Sequence, residues 1–131
     1  MPLAADTNVL ARNLVDDGSE QSRRARQCFA ENEVYVSDTV LLETEWLLRS
    51  RFKFSHMQIN DLFSALLSSE HALFENITRI ATAVLGHRKG LDFADAMHLV
   101  ASQGCDSMVT YDQEFIRSAS LIPGSIPVRE P

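Results

Sequence analysis

The chain has 131 residues, a length that favours one compact domain around its own hydrophobic core. Apolar residues make up 45% and charged residues 23% of it, which excludes a disordered or collagen-like chain, and no apolar run reaches the ~20 residues of a membrane-spanning helix. Eighteen acidic against twelve basic residues give a net charge of −6, which argues against nucleic-acid binding through bulk positive charge unless the acidic residues gather around cations.

Short apolar runs alternate with longer helical patterns along the chain. Buried strands are expected at residues 3–5, 34–36, 73–74, 108–110 and 126–128. Helices are expected at residues 7–15, 18–32, 39–51, from Ser55 onward, 77–87 and 92–103, and Ser55 with Gln58 has the spacing of a capping box. Strands separated by helices predict an α/β fold with a mainly parallel sheet.

The two cysteines, Cys28 and Cys105, are too few for a disulfide framework and form no C-x-x-C pair. We expect both to be small buried apolar side chains in a reducing compartment. The first residues carry no basic segment followed by a long apolar stretch, as a secretory signal would. The sequence therefore predicts a cytoplasmic protein that does not contact the membrane.

Two carboxylates follow predicted strands, where α/β proteins place their working sites. Asp6 comes directly after the first strand, and Asp112 follows the run Val109-Thr110-Tyr111. On a helical wheel of residues 39–51, Glu43 lies at the edge of the apolar arc and is expected to be half-buried. Glu45 lies opposite and is expected to form a solvated i,i+4 ion pair with Arg49.

Asp92 and Asp95 are three residues apart, so both side chains can face the same side of the first turn of one helix. Asp92 is a natural helix N-cap, and whether it has any role beyond capping stays open. Asp95 is harder to explain as a surface residue, because Ala94, Ala96 and Leu99 indicate a closely packed helix.

These residues together resemble the PIN-domain ribonucleases of the VapC toxin type. The resemblance is carried by Asp6-Thr7-Asn8, by Glu43 within Leu41-Leu42-Glu43-Thr44-Glu45-Trp46, by Asp92-Phe93-Ala94-Asp95-Ala96, and by Thr110-Tyr111-Asp112 followed by Phe115. It spans residues 3–115. It implies one PIN domain over residues 1–131, with a three-layer α/β/α arrangement around the parallel sheet.

The resemblance further implies a Mg²⁺- or Mn²⁺-dependent endoribonuclease that hydrolyses RNA with a metal-activated water. Asp6, Glu43, Asp95 and Asp112 are then the catalytic, metal-binding residues, and one or two metal ions are possible. Asp92 is an accessory acid, and Asn8 and Thr110 are expected to fix carboxylate rotamers by hydrogen bonds. Gln113 stands where relatives often have a basic residue.

The implied partners are the RNA substrate, a cognate antitoxin and a second copy of the chain. Trp46, Phe52 and Phe54 suggest an apolar contact surface, although ordinary helix packing explains them equally well. The basic residues Arg23, Arg24 and Arg26 either guide RNA or form a solvated helix face.

Two other functions remain as alternatives. One is a PIN-like module that binds RNA or protein without catalysis. The other is a haloacid-dehalogenase-like phosphatase, which also has an aspartate after its first strand. The phosphatase needs a second aspartate where this chain has Asn8, and a downstream lysine where the only lysines are Lys53 and Lys89.

Overall fold

A computed structural model describes all of residues 1–131. The chain folds as two compact units, Met1–Ile77 and Thr78–Pro131. The prediction of a single domain over the whole chain stays a prediction. No helix combines the length and the apolar character needed to cross a bilayer.

The first unit contains a three-stranded parallel sheet and four helices. In chain order these are β1 (Leu3–Ala4), α1 (Thr7–Leu14), α2 (Glu20–Glu31), β2 (Val34–Tyr35), α3 (Asp38–Ser50), α4 (His56–Leu67) and β3 (Ala72–Leu73). The sheet order is β1-β2-β3, with Leu3 opposite Val34 and Val34 opposite Ala72. Because all three strands run the same way, Asp6 and helix α3 both follow strands that end at the same edge of this sheet.

The strands of this sheet differ in burial. Val34 in β2 and Ala72 in β3 are buried, whereas both residues of β1 are exposed, Leu3 to 46%. The prediction that the strands are buried is therefore wrong for β1, an edge strand with a neighbour on one side only. It is also wrong for Val109, which is 51% exposed.

Serine residues begin three of the four helices in this unit. Ser19, Ser37 and Ser55 each accept a hydrogen bond from a backbone N–H in the first turn of α2, α3 and α4. The predicted capping box is confirmed, since the Ser55 hydroxyl accepts from the Gln58 N–H at 3.1 Å and the Gln58 side chain accepts from the Ser55 N–H at 2.8 Å. These caps fix the helix starts to within one residue of the expected positions.

Apolar side chains from the four helices form the core of the first unit. Helix α1 packs against α2 and α3, and α3 also packs against α4. A buried hydroxyl adds to this packing, because Ser22 of α2 donates to the carbonyl oxygen of Arg12 at 2.9 Å or of Val15 at 3.0 Å. The largest buried side chains of this core are Leu10, Leu41, Leu48, Ile59 and Phe63.

The second unit is built from three helices and one parallel strand pair. Its elements are α5 (Ile77–Arg88, which begins at the unit boundary), α6 (Phe93–Ala101), β4 (Met108–Val109), α7 (Gln113–Ser118), a 3-10 turn (Ala119–Leu121) and β5 (Val128–Arg129). Strands β4 and β5 pair in parallel, with Met108 opposite Val128. Every strand pairing is thus parallel, and the predicted α/β class is confirmed.

A close helix contact in the second unit depends on a glycine. A Cβ atom on Gly86 of α5 would lie 2.6 Å from a side-chain carbon of Ile122. Ile122 is itself buried, so a larger residue at position 86 would have to displace the core.

The prediction that both cysteines are buried is wrong. Cys28 is half-buried at the edge of α2, and Cys105 is exposed in the turn after α6. Both thiols are free, and because neither residue is fully buried, reagents in solution can reach them.

Candidate active site

Asp6 is held in place as the N-cap of α1. Its Oδ1 atom accepts a hydrogen bond from the backbone N–H of Val9 at 3.1 Å. The side chain is exposed, and its second carboxylate oxygen has no hydrogen-bond partner. Asp6 therefore presents a fixed, ionisable oxygen just beyond the end of β1.

Asp112 occupies the same kind of position at the start of α7. Its Oδ1 atom accepts from the N–H groups of Glu114 at 3.0 Å and Phe115 at 3.3 Å. The Thr110 hydroxyl accepts from the Asp112 backbone N–H at 3.0 Å. Thr110 therefore fixes the backbone of Asp112, and the expected hydrogen bond from Thr110 to a carboxylate is not formed.

Asp92 and Asp95 lie in the first turn of α6. As predicted, Asp92 is the N-cap, and its Oδ2 atom accepts from the Asp95 N–H at 3.1 Å. Asp95 is half-buried, whereas Asp92 is exposed. The two carboxylates thus belong to one turn but sit in different environments.

Asp95 is an acidic residue of the second unit with a shifted pKa. Partial burial raises the pKa of Asp95 above its ordinary value of 3.8, and the negative charges of Asp92 and Asp112 raise it further. The nearby His98 acts in the opposite direction without reversing the shift. The charges of Asp92 and Asp112 thus act on Asp95, and the predicted set of site residues stays a prediction.

The two glutamates of α3 have the opposite burial to that expected. Glu43 is exposed and has no hydrogen bond or ion pair, so the expectation of half-burial is wrong. Glu45 is only 6% exposed, and its Oε2 atom lies 2.9 Å from Nε of Arg49. The predicted pair is present but is not fully solvated, because α3 contacts both α1 and α4 and more of its circumference is covered than one apolar arc.

Asn8 does not support the Asp6 carboxylate. Its exposed side chain makes no hydrogen bond with Asp6, contrary to the expected role. It lines a surface pocket between α1 and α2 instead. Asp6 is oriented by the helix that it caps rather than by a neighbouring amide.

A family model for the PIN domain matches residues 4–121. The chain belongs to the PIN domain family. All the predicted acids lie within the matched residues, and the PIN match replaces the phosphatase alternative. PIN domains are generally metal-dependent nucleases, so this chain is a nuclease-type module with the α/β/α class of that family. No curated protein and no solved structure shows a significant match to the chain.

The acids of this PIN domain offer the right atoms for a hard divalent cation. Mg²⁺ and Mn²⁺ prefer oxygen ligands, and the charges of Asp92 and Asp112 raise the pKa of Asp95 more than the charge of His98 lowers it. No three His, Cys, Asp or Glu side chains form a group that could hold a metal ion.

The assignment of Asp6, Glu43, Asp95 and Asp112 as one catalytic set stays a prediction. Asp6 and Glu43 belong to the first unit of the PIN domain, and the other acids belong to the second. Gln113 donates to Glu130 at 2.5 Å. Sequence analysis missed this contact, because Glu130 lies 17 residues away in the loosely patterned tail.

The capping role of Asp6 and Asp112 was also missed. Asp6 directly precedes a predicted helix, so the rule that identified Asp92 as a cap applied equally to it, whereas the helix that Asp112 caps was not itself predicted. Each aspartate therefore has two properties at once, since one oxygen anchors a helix and the other is left for a ligand.

Proposed function

We propose that this PIN-domain protein is a Mg²⁺- or Mn²⁺-dependent endoribonuclease and the toxin of a type II toxin–antitoxin pair of the VapC type. One observation carries the nuclease proposal. Asp95 is partly buried beside the like charges of Asp92 and Asp112, with no ion pair to neutralise it. A buried carboxylate group of this kind is costly unless a cation compensates.

In this proposal each acid has a distinct task. Asp95, Asp112 and Asp6 would hold the divalent cation, which would supply Lewis acidity at the phosphate and lower the pKa of a water. Glu43, exposed and without a partner, accepts a proton from the attacking water or helps to bind a second cation. Asp92 and Thr110 keep the helix start and the backbone of their neighbours in place.

The toxin role rests on the four motifs that resemble VapC and on an apolar surface of the first unit. Trp46 is 55% exposed on α3, although a side chain of this size is usually well covered. Phe52 and Phe54 follow it and contact each other edge to face, with 6.3 Å between ring centroids. An exposed tryptophan is typical of a protein interface.

The nuclease proposal is tested with purified protein, a single-stranded RNA and added Mg²⁺ or Mn²⁺. We expect cleavage with either cation, loss of cleavage in EDTA, and recovery when the cation is returned. Asp95→Asn should reduce the rate by about a hundredfold or more, equivalent to about 2.7 kcal/mol of transition-state stabilisation. Asp106→Asn, at an exposed aspartate of the same unit, is the matched control and should cleave normally.

Two outcomes contradict this proposal. Undiminished cleavage in EDTA would exclude the metal-dependent mechanism. RNA binding without cleavage under any cation would leave the PIN domain as a binding module.

A further inference from the structure

A pocket of about 340 Å³ opens between α1 and α2 of the first unit. Five of the side chains that line it are Asn8, Arg12, Gln21, Arg24 and Cys28. This volume lies at the lower end of the range of small-molecule sites, roughly 300–1,000 Å³. The pocket offers two guanidinium groups and two amides, which can bind an anion and hydrogen-bonding edges together.

One wall of this pocket is the turn that holds Asp6. Val9 also lines the pocket, and its backbone N–H is the donor that the Asp6 carboxylate accepts at 3.1 Å. Asn8 lies in the same turn. A ligand in the pocket is therefore placed within one helical turn of a proposed catalytic carboxylate.

Arg24 is the cation of α2 that remains available to a ligand. Arg23 is paired with Glu20 at 2.5 Å, and Arg26 lies 3.6 Å from Asp16. Arg24 makes no hydrogen bond or ion pair and lines the pocket. Two basic residues of α2 thus lie beside a carboxylate, whereas Arg24 lines the pocket without a direct ion pair, and its charge acts on Glu20 only at longer range.

Arg12 forms a fixed part of the pocket wall that belongs to α1, opposite Arg24 of α2. Its guanidinium lies 2.6 Å from Asp17 and 5.9 Å from the centre of the Phe52 ring. Hydrogen bonds from Ser19, and then the charge of Arg12, lower the pKa of Asp17, so this carboxylate is ionised. The Nε atom of Arg12 is buried and has no acceptor.

We propose that this pocket binds one nucleotide of the RNA substrate, adjacent to the phosphodiester that is cleaved. Arg24 binds a backbone phosphate, and the amides of Asn8 and Gln21 bind the edges of the base. The inference rests on the proposed nuclease function, because that function supplies both the substrate and the role of Asp6. Donors that match one phosphate and one base favour a nucleotide over a protein segment as the occupant.

The two cysteines provide the test. Cys28 lines the pocket and Cys105 is exposed elsewhere, so alkylation by N-ethylmaleimide reports on occupancy at Cys28, with Cys105 as internal control. The probe is a 2′-O-methyl hexaribonucleotide, which is not cleaved, added in EDTA. We expect it to slow alkylation of Cys28 at least about fivefold and to leave Cys105 unchanged. Mass spectrometry of the two peptides measures both rates.

Arg24→Gln and Arg23→Gln form a matched pair of neighbouring substitutions. With Arg24→Gln, about ten times more oligonucleotide should be needed to give the same protection of Cys28. This is the effect of losing one charge-assisted hydrogen bond. Arg23→Gln removes a charge that is already paired, so it should change the oligonucleotide concentration needed for protection less than twofold. The KM for RNA cleavage should follow the same order, with kcat changed less than twofold.

The outcomes separate this inference from the nuclease proposal. RNA cleavage without Cys28 protection overturns the pocket and leaves the nuclease. Arg24-dependent protection without cleavage supports the pocket and counts against the nuclease. Equal protection of both cysteines, or equal effects of Arg23→Gln and Arg24→Gln, overturns the inference. Protection of Cys28 by the product of a neighbouring gene but not by the oligonucleotide assigns the pocket to a protein partner instead and also overturns it.

Discussion

Asp95 has an environment that makes its charge unfavourable in the folded protein. Its position in the first turn of α6 favours a negative charge, but the pKa of Asp95 is raised all the same, so burial and the charges of Asp92 and Asp112 outweigh the helix dipole. A raised pKa means that the folded state holds the proton longer than the unfolded state. The stability contribution of Asp95 therefore falls as the pH rises above about 4.

The first prediction follows from this sign. In EDTA, Asp95→Asn should be more stable than the wild-type protein at pH 7, and the advantage should shrink as the pH falls toward 4, because protonation of the wild-type carboxyl removes the repulsion. Urea unfolding at several pH values measures the difference. Asp106→Asn serves as the exposed control and should show no such trend. A wild-type protein that is the more stable of the two at pH 7 would contradict the proposed repulsion.

Asp6 combines a structural and a chemical task, and two substitutions separate them. Asn is as good an N-cap as Asp, so Asp6→Asn should preserve the stability of α1 while removing the charge. Asp6→Ala removes both and should lower the free energy of unfolding by about 0.5–2 kcal/mol. Both variants should lose RNA cleavage. Retention of cleavage in Asp6→Asn would show that Asp6 acts only as a cap, and thermal unfolding with a cleavage assay distinguishes the cases.

At the scale of the elements, helix starts were the easiest feature to predict. Ser55 and Gln58 indicate the start of α4, because the hydrogen bonds of a capping box are local and need no tertiary contact. Helix α7 was missed because its six residues carry a single buried apolar side chain, Phe115, and hence no periodic pattern. Local chemistry is visible in a sequence, whereas a short helix whose position depends on packing is not.

Helix α3 shows why burial was harder to predict than position. The wheel correctly placed Glu43 and Glu45 on different faces, but it assumed that one arc of the helix is covered. Since α3 contacts two other helices, Glu45 is buried as well. The positions of Asp6 and Asp112 were predicted without any assumption about burial, because parallel topology alone fixes where the chain leaves the sheet.

The two glutamates of α3 therefore give a matched pair of substitutions. Glu45→Gln should destabilise the protein by roughly 1 kcal/mol, since it breaks a partly covered pair with Arg49, and should leave RNA cleavage almost unchanged. Glu43→Gln should leave stability unchanged, because nothing in the protein contacts its carboxylate, and should abolish most cleavage. Urea unfolding and a cleavage assay on both variants test the assignment, which fails if Glu43→Gln cleaves normally.

At the scale of the whole molecule, the effect of the net charge of −6 depends on where the acidic and basic residues lie. Several arginines are already paired with acids, as Arg12 is with Asp17 and Arg49 with Glu45. The acids around Asp95 are not paired in this way. The excess negative charge is therefore partly local, and a cation or a basic side chain from a partner would be attracted to it.

An antitoxin is the partner that this charge and the exposed Trp46 are proposed to bind. A basic side chain that enters the acidic group gains electrostatic energy, and the indole offers the apolar anchor that interfaces commonly use.

We expect expression of this protein alone to arrest growth, and co-expression with the adjacent small gene to relieve the arrest. Trp46→Ala should weaken the complex by about 2 kcal/mol, close to thirtyfold, without slowing RNA cleavage, whereas Leu85→Ala, at an exposed apolar residue of α5, should change neither. Titration calorimetry and a growth assay measure both effects, and a protein that is harmless alone and binds no product of its own operon would remove the toxin proposal while leaving the nuclease proposal intact.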